Sequence, residues 1–252
     1  MGKCVIIYSR LASIMYNNLV GLKDYVYHTV IWEGKRFLMH IYIIAQDLNL
    51  NGRDEERFYK LGRDYVAKGH RVTLFTGGNG LNIDLGQKKI GLLQRDGMTM
   101  IAFNVSYNIQ MSRLQKLAAF FKFFRLVAKQ GRLLPSPDML VVASPPLSSA
   151  QAAIKLKEHF KVPLILEVRE LWPDVPIKQG FLKNRLLING VRRLEEQVYE
   201  KADWIVAKDH GIADAVKARR AGWDGITVIP EELEERGLLF QYEQVMEELN
   251  QK

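Results

Sequence analysis

The sequence predicts an α/β protein built on a doubly wound, mainly parallel, Rossmann-like sheet. Short apolar segments alternate with longer segments of helical period, which is the pattern of repeated strand and helix units. The segments between successive strands are long enough to hold crossover helices, and such crossovers join parallel strands. The 252 residues, of which 48% are hydrophobic, are enough for one core with helices on both faces of the sheet.

The predicted elements alternate along most of the chain. Strands are expected over residues 40–46, 71–76, 98–104, 139–143, 164–168, 204–207 and 227–229. Helices are expected over residues 54–68, 113–130, 147–160, 182–201 and 212–221. This divides the chain into a Rossmann-like domain over 39–230, an N-terminal extension of unassigned role over 1–38 and an acidic amphipathic helix over 231–252. Periodicity alone allows other doubly wound folds as well.

Cysteine content and hydropathy indicate a cytoplasmic protein. The single cysteine, Cys4, leaves no partner for an internal disulfide and argues against a zinc cluster. No run of about 18 apolar residues is present to span a membrane. The first residues lack the pattern of a signal peptide. His28 and His159 show no ligand spacing, so no metal site is expected.

The net charge of +8 is unevenly distributed. Residues 231–252 contain seven glutamates and two basic residues, so the preceding 230 residues carry an excess of 13 positive charges. Such an excess favours an anionic partner. Because no nucleic-acid recognition motif accompanies it, we expect no nucleic-acid partner. Phosphate-bearing lipid headgroups fit the pattern better.

Residues 111–132 predict a helix that could contact such headgroups. Phe120, Phe123 and Phe124 recur at helical spacing. The basic residues gather on another face of the helix, and they include Lys122, Arg125 and Lys129. An aromatic face beside a basic face is typical of an interfacial helix, so we predict that the three phenylalanines enter an anionic membrane surface. The alternative is a helix that covers the sheet, with its aromatic side chains inward and its basic face in solvent.

The most informative segment, residues 163–180, is an apolar strand that leads directly into a charged loop. The loop holds Arg169, Glu170, Trp172 and Asp174. Ligands of open α/β sheets bind beyond the carboxyl ends of the strands, so this loop is a candidate site. The alternative is a surface loop whose charges pair with one another, and position alone does not decide. Within the strand, Glu167 is interpreted as an ion-pair partner of Arg169 rather than as a perturbed acid.

Seven segments share the motifs of one enzyme family: residues 39–46, 61–73, 137–147, 167–173, 183–187, 202–203 and 226–230. The most specific is Glu-Val-Arg-Glu-Leu-Trp-Pro at 167–173. Together they resemble the N-terminal, acceptor-side domain of the bacterial GT-B glycosyltransferases, of the family 4-like type, that build O-antigen, capsule and exopolysaccharide. The resemblance implies half of a GT-B fold and the transfer of a sugar from a nucleotide sugar to a lipid-linked or polysaccharide acceptor.

The resemblance also implies roles for particular residues. Arg169 would grip an acceptor phosphate or carboxylate, and Glu170 would orient a sugar hydroxyl as the catalytic carboxylate. The family more often has aspartate at the position of Glu170. Trp172 is interpreted as a sugar-stacking platform or a structural plug, and Asp174 belongs to the same substrate-binding loop. His210 is interpreted as a proton-transfer or phosphate contact, or else as a solvent-exposed side chain.

A second loop and a second domain complete these expectations. Asn51 and Gly52 match the family's loop near the donor phosphates, or they form a plain turn before a helix. We expect the family's nucleotide-sugar-binding domain to come from a separate polypeptide, and the chain to transfer sugar only with it. No cofactor is expected beyond the nucleotide sugar, and the protein is expected at the inner face of the membrane. The alternatives are a non-catalytic module that binds a glycolipid or a partner, and a weakly active enzyme by itself.

Overall fold

The computed structural model describes residues 38–48, 57–78, 81, 85–86, 88–105, 110–178, 180, 182–230 and 235–250. Within these ranges the strands are β1 His40–Ile44, β2 Arg71–Gly77, β3 Ile90–Arg95, β4 Met98–Phe103, β5 Met139–Ser144, β6 Leu164–Val168, β7 Trp204–Ala207 and β8 Ile226–Val228. The helices are α1 Arg57–Ala67, α2 Arg113–Gly131, α3 Leu147–Phe160, α4 Asp174–Lys178, α5 Arg185–Lys201, α6 His210–Arg219 and α7 Glu235–Asn250. Apart from Leu38, the predicted N-terminal extension lies outside the described residues.

The strands form one sheet in the order β3-β4-β2-β1-β5-β6-β7-β8. Every neighbouring pair is parallel except β3 and β4, which are antiparallel. From β1 the chain proceeds outward toward β2 and β4, and from β5 it proceeds outward in the opposite direction. This order confirms the predicted doubly wound, mainly parallel sheet.

The antiparallel edge strand β3 is missing from the sequence prediction. It joins β4 through a tight turn at Asp96 and Gly97, whose φ angles are 48° and 78°. Two successive positive φ angles are typical of the two-residue turns that match the twist of a hairpin. An Asp-Gly pair between two apolar segments is therefore the signal that identifies this hairpin from sequence.

Alternate side chains of the central strands point to opposite faces of the sheet. Tyr42 and Ile44 belong to a buried cluster that includes residues of α2, α3, α5 and α6. Ile41 and Ile43 belong to a second cluster, which includes residues of α1 and α7. Because helices cover both faces, the inner strands are mostly apolar, and the polar residues among them, such as His40 and Glu167, are buried. This rigid, doubly covered sheet positions the loops at its edges.

Helix α7 lies against α1 on the second face of the sheet. Leu239, Tyr242 and Val245 are buried there. At the surface, Lys68, directly after α1, forms an ion pair with Glu243 of α7. The apolar side of the predicted acidic helix is thus the side that packs, while residues 231–234 and 251–252 of that prediction lie outside the described residues.

His40 is a buried polar residue that joins β1 to its neighbours. Its Nε2 lies 2.9 Å from Thr73 Oγ1, and its Nδ1 lies 3.1 Å from the carbonyl oxygen of Ser136. Desolvation, reinforced by the charge of Arg71, lowers the pKa of His40 to about 3. The folded protein therefore keeps His40 neutral at pH values where the unfolded chain protonates it.

We predict that this difference destabilises the protein as the pH falls. The unfolded pKa of histidine is about 6.5, so the contribution of His40 is complete above that pH and is lost as the pH falls toward 3. Between pH 7 and pH 5 the loss amounts to about 2 kcal/mol. Urea denaturation of the parent and of His40→Gln, which cannot titrate, measures it. If the two proteins lose stability in parallel over this range, the burial of a neutral His40 is not the cause.

Candidate functional site

The carboxyl ends of the parallel strands meet along one edge of the sheet, where backbone hydrogen bonds fix the loops side by side. The N–H of Arg169, after β6, donates to the carbonyl oxygen of Ser144 at 2.9 Å. The N–H of Lys208, after β7, donates to the carbonyl oxygen of Val168 at 3.1 Å. The loops that follow β5, β6 and β7 are therefore neighbours at this edge.

The predicted catalytic pair lies at this edge. Arg169 is half-buried and Glu170 is exposed. Both follow directly after β6, whose residues are all buried. A buried strand fixes the start of the loop, so the guanidinium and the carboxylate leave the sheet from a rigid base. Their roles in sugar transfer stay predictions.

The other members of this loop are engaged in packing and ion pairing. Trp172 is half-buried and packs against the core cluster under α3, which favours the structural plug over the sugar platform. Asp174 forms ion pairs with Arg219 and with Arg192, the latter at 3.4 Å. Because two arginines occupy its carboxylate, Asp174 is better placed to hold α4 against α5 and α6 than to bind substrate.

The same arginine connects Asp174 to a buried acid on α5. Arg219 lies 3.5 Å from Glu195 Oε1, and the Tyr199 hydroxyl donates to the same oxygen at 2.7 Å. Desolvation raises the pKa of Glu195. This network ties three helices together below the candidate loop.

Glu167 does not pair with Arg169, so that interpretation is wrong. Its carboxylate lies 3.1 Å from Arg57 Nε and accepts a hydrogen bond from the Tyr242 hydroxyl. Arg57 also donates to the carbonyl oxygens of Ile229 and Pro230, at 3.3 and 2.9 Å. We call this group the Glu167 clamp: Arg57, Glu167, Tyr242 and the two carbonyls.

The clamp fixes four segments of the second face to one another. Desolvation, followed by the nearby charge of Glu167, raises the pKa of Tyr242 well above its usual range, so its hydroxyl stays a donor. Sequence reasoning missed the partners of Glu167 because Arg57 and Tyr242 are 110 and 75 residues away along the chain.

The remaining predicted residues either lie at the carboxyl edge of the sheet or fall outside the described residues. His210 is exposed at the start of α6, where Asp209 caps the helix by accepting a hydrogen bond from the N–H of Ile212 at 2.8 Å. Its predicted role is untested. Asn51 and Gly52 lie outside the described residues. Within the described ranges no cluster of three His, Cys, Asp or Glu residues is arranged to hold a metal ion.

The topological switch point of the sheet lies between β1 and β5, a place that sequence reasoning did not identify. Gln46, just after β1, is buried, and its Oε1 accepts a hydrogen bond from Ser148 Oγ at 3.2 Å. Ser148 stands in the first turn of α3. Ligands of doubly wound sheets bind in the crevice at such a point. The two residues were assigned to a strand and a helix, and only the strand order shows that they meet.

The predicted aromatic face of α2 is not a surface, and this corrects the membrane assignment of its phenylalanines. Phe123 is completely buried and packs edge-on against Phe103, with ring centroids 5.8 Å apart. Phe120 is half-buried, and Phe124 packs partly buried against the same core. Phe123 and Phe124 therefore turn this side of the helix toward the core, as the apolar side of a helix usually does.

The exposed face of α2 is a different one. Leu117 and Phe121 are 62% and 57% exposed. Beside them Lys122, Arg125 and Lys129 are exposed as predicted. We call these five residues the α2 surface. None of the helices in the described part of the chain is both long and apolar enough to cross a bilayer.

A family model described as "Glycosyl transferase 4-like domain" matches residues 55–231. Sucrose-phosphate synthase from Thermosynechococcus elongatus has a TM-score of 0.53 at 15% identity, over 83% of this chain and 98% of that chain. An E. coli structure described as trehalose-6-phosphate bound with UDP-2-fluoro glucose has a TM-score of 0.52 at 11% identity. That alignment covers 77% of this chain and 49% of the other, so the chain spans about half its length.

These matches confirm the predicted resemblance to the N-terminal domain of a GT-B, family 4-like glycosyltransferase. At such low identities the structural similarities establish the fold alone. A search of curated proteins gave no match.

We predict that the Glu167 clamp dominates the stability of the second face. Arg57→Met leaves the Glu167 carboxylate buried without its cation, and we expect a loss of about 3–5 kcal/mol in the free energy of unfolding. Tyr242→Phe removes one charged hydrogen bond and should cost about 1–3 kcal/mol. Urea denaturation at pH 7 measures both.

The matched control is Lys68→Met, which removes the exposed ion pair that joins the residue directly after α1 to Glu243 of α7. A pair of this kind contributes less than about 1 kcal/mol. A loss for Arg57→Met no larger than that for Lys68→Met would contradict the assignment.

Proposed function

We propose that this chain, which belongs to the glycosyl transferase 4-like domain family, acts as the acceptor-side domain of a glycosyltransferase. It presents a lipid-linked or polysaccharide acceptor to a nucleotide sugar, and transfer requires a donor domain. The observation that carries the proposal is the placement of Arg169 and Glu170 at the carboxyl edge of a family-matched sheet, where such folds bind ligands.

The chemistry assigned to this pair follows from their groups and their positions. Glu170 is exposed, so its carboxylate is free of the packing that engages Trp172 and Asp174. It would take the proton of the acceptor hydroxyl as that oxygen bonds to the anomeric carbon of the donor sugar and the bond from that carbon to the nucleotide diphosphate breaks, with the diphosphate leaving on the donor domain. Arg169 would hold a phosphate or carboxylate of the acceptor through a bidentate contact.

In a transfer assay with a polypeptide that carries the donor domain, we expect Glu170→Gln to lower kcat by at least about 100-fold. Arg169→Ala should mainly raise the acceptor KM, by about 10- to 100-fold. The assay follows labelled sugar from a panel of nucleotide sugars into polyprenyl-linked acceptor.

Glu196→Gln on the exposed side of α5 is the matched control, because it removes a similar charge away from the edge. It should transfer at the parental rate. If Glu170→Gln and Arg169→Ala also do so, the loop is structural. Transfer by the chain alone would show that no separate donor polypeptide is needed.

We also propose that the α2 surface attaches the protein to the cytoplasmic, inner face of an anionic membrane. Two exposed apolar side chains stand among three exposed cations. The Arg125 guanidinium lies 5.7 Å from the centre of the Phe121 ring, so charge and apolar area form one continuous patch. Leu117 and Phe121 would enter the acyl boundary, and each cation near an anionic surface contributes about 1 kcal/mol.

The membrane proposal predicts that replacing Leu117 and Phe121 with serine abolishes sedimentation with vesicles that contain anionic phospholipid. Raising the salt concentration should weaken the binding of the parent, because exposed charges are screened. Phe240→Ser is the control, since Phe240 is 55% exposed but lies on the acidic helix α7. Persistent sedimentation of the double variant would show that the α2 surface does not carry the attachment.

A further inference from the structure

The first turn of α3 is an uncapped helix start at the switch point of the sheet. Its N-cap residue is Pro146, and no side chain caps the turn within the described residues. By contrast, Ser112, Asn184 and Asp209 cap α2, α5 and α6 with side-chain oxygens. The first N–H groups of a helix have no partner inside the helix, and the helix dipole makes this end favourable for an anion.

A buried side-chain donor at the same turn is a second and independent observation. Gln46 is only 5% exposed, and its amide is held at the turn by the bond between its Oε1 and Ser148 Oγ. Its Nε2 has no hydrogen-bond partner among the described residues. Buried amide groups are nearly always paired, so an unpaired one requires an explanation. If the amide is turned over, the donor meets Ser148 and the carbonyl oxygen becomes the unpaired atom.

A further polar group in this turn is also unpaired. Ser149 Oγ is completely buried and has no partner in the described part of the chain. The hydroxyl can donate as well as accept. The turn thus gathers helix N–H groups, an amide and a hydroxyl without a carboxylate among residues 144–149. Asp47, next to Gln46, is exposed as a residue, but desolvation raises the pKa of its carboxyl.

The turn is open to solvent and adjoins the proposed catalytic loop. Pro145, Pro146 and Ser148 are half-exposed. The N–H of Arg169 donates to the carbonyl oxygen of Ser144, directly before the turn. An oxyanion bound here would therefore lie next to Arg169 and Glu170.

We propose that the first turn of α3, together with Gln46, binds a phosphate group of a substrate. Phosphate oxygens accept hydrogen bonds, and this turn offers donors in the free N–H groups of α3 and the Gln46 amide. The dipole at the start of a helix also favours an anion without a bound cation. The proposed function enters this proposal at one point only: it identifies the molecule that carries the phosphate. The shared chemistry is a phosphate ester, from a prenyl phosphate of the acceptor or from the diphosphate of the donor.

Titration of the whole chain with inorganic pyrophosphate, followed by backbone amide NMR, tests the site itself. We expect the amide signals of Leu147 and Ser148 to shift on binding, while those at the capped start of α6 stay in place. No variant is required for this measurement, so it does not depend on a variant that folds. Shifts that avoid the first turn of α3, or no shifts at all, would overturn the proposal.

Gln46→Leu then tests the buried amide, since leucine keeps its volume and lacks its donors. Calorimetry should show pyrophosphate binding at least tenfold weaker than in the parent. Without the ligand, the variant should be at least as resistant to urea as the parent, because an unpaired polar group has been removed. The matched control is Gln130→Leu: Gln130 is 3% exposed and also has an unpaired amide atom, but it lies at the far end of α2. Parental affinity in Gln46→Leu, or an equal loss in Gln130→Leu, would overturn the assignment.

Two further titrations identify the source of the phosphate. A short-chain prenyl monophosphate and UDP are compared for the same amide shifts and for the same loss in Gln46→Leu. Response to either compound supports the site and names its substrate, whereas response to neither overturns it. If neither compound binds but Glu170→Gln still lowers transfer, the phosphate site is wrong and the proposed function stands. If a compound binds at this turn but Glu170→Gln transfers at the parental rate, the proposed function is wrong and the phosphate site stands.

Discussion

The buried carboxylate of Glu167 is the constraint on which the second face of the molecule depends. A charge near the end of a buried, otherwise apolar strand is costly unless it is paired and hydrogen-bonded. Arg57 and Tyr242 supply that pairing, and each brings its own helix with it. Arg57 also holds the carbonyl oxygens that follow β8. The start of α1, the end of β6, the chain after β8 and the middle of α7 are therefore fixed relative to one another.

Much of the fold follows from the sequence because burial on both faces leaves a strong local signal. The strands β6 and β7 and the helix α3 have the predicted bounds: β7 is continuously apolar, β6 is apolar apart from Glu167, and α3 has a helical period. The edge strand β3 was missed because none of its residues is fully buried and Gly91 interrupts its apolar run. The aromatic stripe of α2 was predicted to enter a membrane, but Phe123 is buried in the core. Periodicity shows that a helix has an apolar face, but not what covers that face.

The candidate site was predictable only where it is continuous in sequence. Arg169 and Glu170 follow a strand that is recognisable by itself, and the rule that ligands bind beyond strand ends then locates them. The partners of Glu167, Asp174 and Gln46 come from distant parts of the chain, and their pairing depends on the order of the strands. Local charge patterns favoured a pair between Glu167 and Arg169. The alternation of side chains in β6 instead directs Glu167 to the face of α1 and α7.

The two faces of the sheet serve the proposed function in different ways. On the face of α1 and α7 the buried polar groups of the Glu167 clamp are satisfied, so they hold the chain segments on both sides of residues 231–234 to one carboxylate. At the start of α3 the buried polar groups lack partners in the described structure, and an unsatisfied donor lowers stability until a ligand accepts it. Unpaired polar groups of this kind persist at functional sites, where ligand binding restores the stability that they cost the free protein. The clamp makes the second face rigid, while the first turn of α3 keeps hydrogen-bonding groups that a ligand can satisfy. That turn lies beside Arg169, where the acceptor is proposed to bind.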